Sequence, residues 1–155
     1  MKARDVLNRC RALTAMQRWA VLAAIFGLPL SALSIRLLGA PRVLRWASRC
    51  AATARRSSVV DEVPAARQLA SAVNAVAYRR PWRANCLTRS LFLLWLLARH
   101  GIAAELVIGA RLIDGVLEAH AWVTCAHQPV NDTADVASRF APFDGLTASA
   151  VLVDR

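Results

Sequence analysis

A chain of 155 residues that is 57 % hydrophobic and 19 % charged has material for one compact domain with a real core, too little for two sizeable ones, and is too apolar for intrinsic disorder. Its net charge of +10 would ordinarily invite nucleic acid, but residues 1–56 carry eleven Lys or Arg against Asp5 alone, while residues 57–155 carry nine basic and nine acidic residues. Those arginines alternate with large aliphatics and not with aromatics suited to stacking on bases, which argues against a nucleic-acid partner.

In chain order, residues 1–18 space Val6, Cys10 and Leu13 at helical intervals among arginines, as a basic amphipathic helix would. Residues 19–35 contain no charge but include Gly27 and Pro29. The favoured expectation is a buried helical hairpin broken at Pro29, with peripheral membrane or partner contact second and a true span, at 17 residues marginal, third. A signal peptide fits poorly, because the preceding basic region is long and no A-x-A cleavage site follows. After Pro41, a second amphipathic helix gathers Val43, Leu44, Trp46, Ala47 and Cys50 on one side and Arg42, Arg45 and Arg49 on the other. "SSVVDEVPAA" reads as a linker. We therefore divide the chain into a basic, apolar helical region over 1–56 and a second unit over 57–155, which opens on a helix burying Leu69, Val73 and Val76, with Tyr78 a further candidate.

Cysteines stand at 10, 50, 86 and 125, without a C-x-x-C pair or a histidine cluster at zinc-ligand spacing, so no metal site is expected. Nothing resembling a loop-rich secreted domain accompanies them, and thiol chemistry favours a reducing compartment such as the cytoplasm. Cys86 precedes an apolar run of helical length that stops at Gly101, a residue suited to a left-handed cap. A thiol at a helix start meets the positive end of the dipole and unpaired N–H groups, both of which favour thiolate.

"IAAELVIGARL" and "VLEAHAWVTC" flank Asp114-Gly115 and predict a β-hairpin, with His120, Trp122 and Thr124 on one face of the returning strand. A turn at Pro129 is expected to bring Asp132 up on a third strand. Cys86, His120 and Asp132 then form a workable triad of nucleophile, base and orienting carboxylate. Taken singly each is ordinary: a cysteine is often a small hydrophobe, a strand histidine a satisfied core residue, an Asp after Asn a turn. Trp82 and Arg83, just before Cys86, are candidates for a cleft wall and a substrate contact, and Trp122 is a third candidate for substrate binding. Arg89, three residues past Cys86, suits thiolate or substrate contact, with a surface arginine the blander alternative. The tail from Thr133 supplies Phe140, Phe143 and "AVLVD", suited to an edge strand or a cleft floor.

"NCLTRSLFLLWLLARHGIAAELVIGAR", followed by "EAHAWVTC" and "PVND", resembles the leader-peptidase part of lasso-peptide biosynthesis B proteins over about residues 82 to 145. The resemblance implies an α+β fold with a transglutaminase-like, papain-related core, in which Cys86 opens a helix packed on a small antiparallel sheet. It implies Cys86 as nucleophile, His120 as general base and acid, and Asp132 as the orienting group. Thr124, Cys125 and His127-Gln128-Pro129 depart from the family's usual turn. The implied substrate is the leader of a ribosomally made precursor peptide, and the implied next enzyme is an asparagine-synthetase-like cyclase. Because residues 1–60 lack alternating strands, a separate leader-recognition protein is the expected partner. Nothing in the chain calls for a cofactor. The same triad suits acyl transfer to an amine, and the fold without chemistry suits a membrane- or partner-binding protein.

Overall fold

The computed structural model describes residues 15–53, 62–79 and 84–143, leaving aside the side chains of 48 and 50–53. Among the described residues four helices precede the sheet: α1 (Ala15–Leu38), α2 (Ala40–Thr53), α3 (Glu62–Ala77) and α4 (Cys86–Arg99). The strands β1 (Glu105–Ile113), β2 (Val116–Cys125) and β3 (Gln128–Pro129) follow, then the single turn α5 (Val136–Arg139) and β4 (Ala141–Pro142). All pairings are antiparallel, in the order β3-β2-β1-β4, and the fold is α+β with its N-terminal helices in front.

α4 is the centre of the molecule. Its residues from Thr88 to Leu94 are all buried, because α1, α2 and α3 pack around it on one side and β1 and β2 on the other. Leu69 and Val73 of α3, Leu93 and Leu97 of α4, Leu106 of β1 and Val123 of β2 share one core. Burial of such side chains contributes roughly 1.5–3 kcal/mol each, which is why a run so rich in leucine can specify a single position in the fold. The opposite face of the sheet carries a smaller cluster of Val107, Trp122, Val136 and Phe140. Strand alternation thus delivers Ala121, Val123 and Cys125 to the helices and Trp122 to the far side.

The hairpin expected at Asp114-Gly115 is present. Both residues have positive φ, 49° and 78°, the pattern of a type I′ turn whose twist matches the strands. The hairpin expected at Pro29 is not. α1 runs unbroken from Ala15 to Leu38 with Pro29 inside it. Proline removes one backbone bond, at about 3 kcal/mol, but Ala20, Ala24 and Leu28 before it are buried in the core and Ile35 after it packs, partly buried, against the same core, so both halves are held on one line. Gly27 makes this seat possible, since a Cβ there would overlap the ring of Phe92. Trp19 lies edge-on to His100, with ring centroids 5.5 Å apart, so α1 runs antiparallel to α4.

α2 buries Val43 and Ala47, but Trp46 is 53 % exposed and not part of the buried side as expected. Leu69, Val73 and Val76 are buried on α3, whereas Tyr78 lies past its end and is exposed. The edge strand foreseen in the tail exists as Ala141–Pro142 against Gly109 and Ala110 of β1; "AVLVD" lies outside the described residues.

Candidate active site

Asn85 builds the start of α4. Its backbone is extended, and its Oδ1 accepts the Thr88 N–H at 2.8 Å, so one of the helix's four unpaired donors is satisfied by the residue before the cysteine. Cys86 is therefore the first helical residue, half-buried and not in a disulfide. The N–H groups of Cys86 and Leu87 are the next two donors in that turn, with no intrahelical acceptor, and they face whatever lies at the helix head.

His120 sits on β2 opposite Gly109 of β1, with its side chain 21 % exposed. Its ring stacks with Phe140, centroids 4.8 Å apart and 27° between planes, and with Trp122, 6.2 Å and 23°. The Nε2 of His120 is 2.8 Å from Oδ2 of Asp132. With the carboxylate ionised, Nε2 carries the hydrogen and donates, and Nδ1 is left as the basic nitrogen.

Asp132 is held from several sides. The Thr133 N–H donates to its Oδ1 at 2.9 Å, Arg89 reaches its Oδ2 at 3.4 Å, and Arg139 reaches its Oδ1 at 3.4 Å. Burial alone would raise the pKa of this carboxyl. The hydrogen bond from His120, the Thr133 N–H and the charges of His120 and Arg89 outweigh that effect and hold Asp132 below its ordinary value of 3.8.

The carboxylate is not on a third strand, as expected, but in the bend after one. β3 ends at Pro129. Val130 donates its N–H to the Val123 carbonyl at 3.0 Å, but the Val123 N–H turns to the Oδ1 of Asn131 at 2.8 Å, so a side chain takes the place of the next rung. Asn131 is buried, and its Nδ2 donates to the Ser90 hydroxyl at 2.9 Å, which in turn donates to the Ala121 carbonyl at 3.0 Å. The Asn131 carbonyl accepts from Nδ2 of Asn74 on α3 at 3.2 Å. Ser90 lies one turn after Cys86, and Ala121 follows His120. This chain of bonds fastens the helix of the cysteine, the strand of the histidine and the corner of the aspartate to one another.

Arg89 departs most from the blander expectation. It is not at the surface: its side chain is 4 % exposed, and besides Asp132 it donates to the Tyr78 hydroxyl, over whose ring its guanidinium lies at 5.0 Å. It addresses the carboxylate, not solvent. Trp122, a candidate for substrate contact, is 1 % exposed and packs behind His120, so it supports the imidazole and lies beneath the surface a substrate would touch. Trp82 and Arg83 lie outside the described residues. His100 and His127 are both exposed. Cys125 is buried among core residues, and burial together with nearby Glu62 pushes its thiol up, as befits an inert side chain. Sequence reasoning missed Asn131, Ser90, Tyr78 and Arg139; Ser90 and Asn131 stood inside the quoted "CLTRS" and "PVND", beside residues chosen for their chemistry. Among the described residues no group of three His, Cys, Asp or Glu is assembled for a metal.

A family model described as the transglutaminase-like superfamily matches residues 22–143. The chain belongs to the transglutaminase-like superfamily. The match begins within α1 and closes just after β4, so it takes in the N-terminal helices together with the sheet. Transglutaminase-like proteins include cysteine proteases and transglutaminases, enzymes that pass an acyl group through a cysteine thioester. No curated protein and no solved structure matches the chain.

Proposed function

We propose that this transglutaminase-like protein is a cysteine endopeptidase that removes the leader from a ribosomally made lasso-peptide precursor. Cys86 is the nucleophile, His120 the base and acid, and Asp132 the orienting carboxylate. One observation carries the reading: a single oxygen, Oδ2 of Asp132, is reached both by His120 Nε2 and by Arg89 from the first turn of the cysteine's own helix. The histidine is thereby fixed in the tautomer that leaves Nδ1 free to take a thiol proton. The similarity of "NCLTRS", "AHAWV" and "PVND" to lasso-peptide B proteins supports the substrate assignment.

In the reaction, Nδ1 accepts the Cys86 proton and the sulfur attacks the scissile carbonyl carbon, whose oxygen becomes an oxyanion. The N–H groups of Cys86 and Leu87 at the helix head are suited to receive that charge, since the helix itself offers them no acceptor. Collapse of the intermediate breaks the C–N bond, and His120 returns the proton to the leaving amine. Water, deprotonated by Nδ1, then attacks the thioester, releasing the leader's carboxylate and restoring the thiol. The imidazolium formed in each half-reaction is stabilised by Asp132, which its neighbours keep ionised.

A separate leader-recognition protein is the proposed partner, an asparagine-synthetase-like cyclase the proposed next enzyme, and the cytoplasm the proposed compartment, where the thiol stays reduced. Membership of a superfamily that also holds transglutaminases supports a second reading, transfer of the acyl group to an amine in place of water. The two differ in product mass. Incubated with precursor and recognition protein, wild type should yield free leader and core, whereas Cys86→Ala, still folded by circular dichroism, should yield none. Cleavage by Cys86→Ala at the wild-type rate refutes the mechanism, and a product heavier by an added amine assigns transfer.

A further inference from the structure

α1 wears its apolar residues on both sides, and the larger ones are outside. Its inner face presents Ala20, Ala24 and Leu28 to the core. Its outer face presents Trp19, Leu22, Phe26, Leu30, Leu33 and Leu37, exposed from 45 % at Trp19 to 76 % at Phe26. At 3.6 residues per turn these six fall on one stripe less than a quarter of the helix circumference wide, and over 24 residues the helix is about 36 Å long. A soluble helix of ordinary design has the reverse arrangement, with its large apolar side chains inward. Beside the stripe, an apolar groove of about 410 Å³ opens between α1 and α2 against Phe92 and Trp95 of α4, and Leu30 and Leu38 belong to its wall as well.

The charges on the two helices that frame this face are of one sign. Arg18 and Arg36, both exposed, stand eighteen residues apart, which is five whole turns, so they flank the same long edge. Along the other edge α2 exposes Arg42, Arg45 and Arg49, and Arg42 borders the groove. No Asp or Glu occurs from residue 15 to 53. An apolar stripe between two rows of arginine is suited to the boundary of an anionic bilayer, with the stripe among acyl chains and the guanidinium groups at the phosphates. A second copy of the chain fits poorly, because face-to-face contact would set arginine rows against each other over two helices without acids. The length and composition of α1 would also suit a membrane crossing, but Ala20, Ala24 and Leu28 are sealed against the core, so crossing would tear the helix from the fold.

We infer that the outer face of α1, with the arginines of α2, docks this protein in the plane of an anionic membrane surface. This site is separate from the catalytic residues and does not depend on their assignment. The test uses the full chain with vesicles of phosphatidylcholine alone and of phosphatidylcholine with about one third phosphatidylglycerol. The wild type should sediment with the anionic vesicles, far less with the neutral ones, and less again when salt is raised to about 0.5 M. The double substitution Phe26→Glu, Leu33→Glu, at two exposed positions outside the groove, should lower binding by more than about tenfold, with the melting curve unchanged. Arg42→Gln with Arg45→Gln and Arg49→Gln should remove the preference for anionic lipid. The inference is overturned if wild type stays in the supernatant with both vesicles, if the Glu variant binds as well as wild type, or if this face instead holds a dimer or a protein partner in solution.

Discussion

Replacing Asn131 by alanine removes the side chain that stands in for a strand rung. Two bonds go with it: the acceptor at 2.8 Å from the Val123 N–H and the donor at 2.9 Å to the Ser90 hydroxyl. Val123 is fully buried, so its N–H is left without a partner, at about 1–3 kcal/mol. The lost bond to Ser90, whose hydroxyl still donates to Ala121, adds roughly 0.5–1.5 kcal/mol. A loss of about 2–4 kcal/mol is expected, a large part of the 5–15 kcal/mol that holds a typical domain. Urea unfolding followed by circular dichroism should show a lower midpoint with the same slope. Because Ser90 and Asn131 share a bond, Ser90→Ala should cost less in the Asn131→Ala background than in wild type, with a coupling of about 0.5–3 kcal/mol. A loss below about 1 kcal/mol, or strict additivity, would show that the buried network does not hold the corner.

Arg89→Met should lower proteolytic kcat by roughly ten- to a hundredfold, the rate equivalent of one charge-assisted bond of about 1.5–3 kcal/mol felt in the transition state. Arg89→Lys should recover only part of it, since an ammonium cannot serve Tyr78 and Asp132 together; a purely structural arginine would change the melting temperature and leave the pH profile of kcat where it was. The stability that Asp132 contributes has a definite sign with pH. Its native carboxyl titrates below 3.8, so the contribution is complete above that value and is lost as pH falls through the lower native one. Asp132→Asn should therefore be less stable than wild type at pH 7, and the two urea midpoints should converge as pH drops below about 4. Midpoints that stay apart down to pH 2 would contradict the ion-pair account of this residue.

Periodicity and turn chemistry disclosed much of this fold in advance. The run after Cys86 could only be a long buried helix, and Asp114-Gly115 between two β-rich runs could only be a tight hairpin. Both are local signals, written within one element. What escaped is settled between elements. Arg89 looks like a surface residue on any helical projection, and only the approach of Asp132 and Tyr78 explains why a guanidinium is buried there. Pro29 signals a break in isolation, and only the packing on both sides of it outweighs that signal. Asp132 was expected on a third strand brought up by a turn at Pro129, but a buried amide intercepted the ladder. Of the proposed site, the candidate reacting side chains could be nominated from the sequence because few residue types can do that chemistry. The residues that hold them were not, because serine, asparagine and arginine have many commoner uses.

The corner at Asn131 bears on how this protein tolerates change. A carboxylate carried on a continuous strand would move with every alteration of the preceding turn, since the ladder transmits register. Here the turn at Ala126 and His127, both strained into positive φ at 46° and 62°, leads into only two paired residues before the side chains of Asn74 on α3 and Ser90 on α4 and the Val123 N–H of β2 take over. The mechanical link between loop and acid is cut, so the loop is free to drift in length and composition while the carboxylate stays where the helix and sheet anchor it.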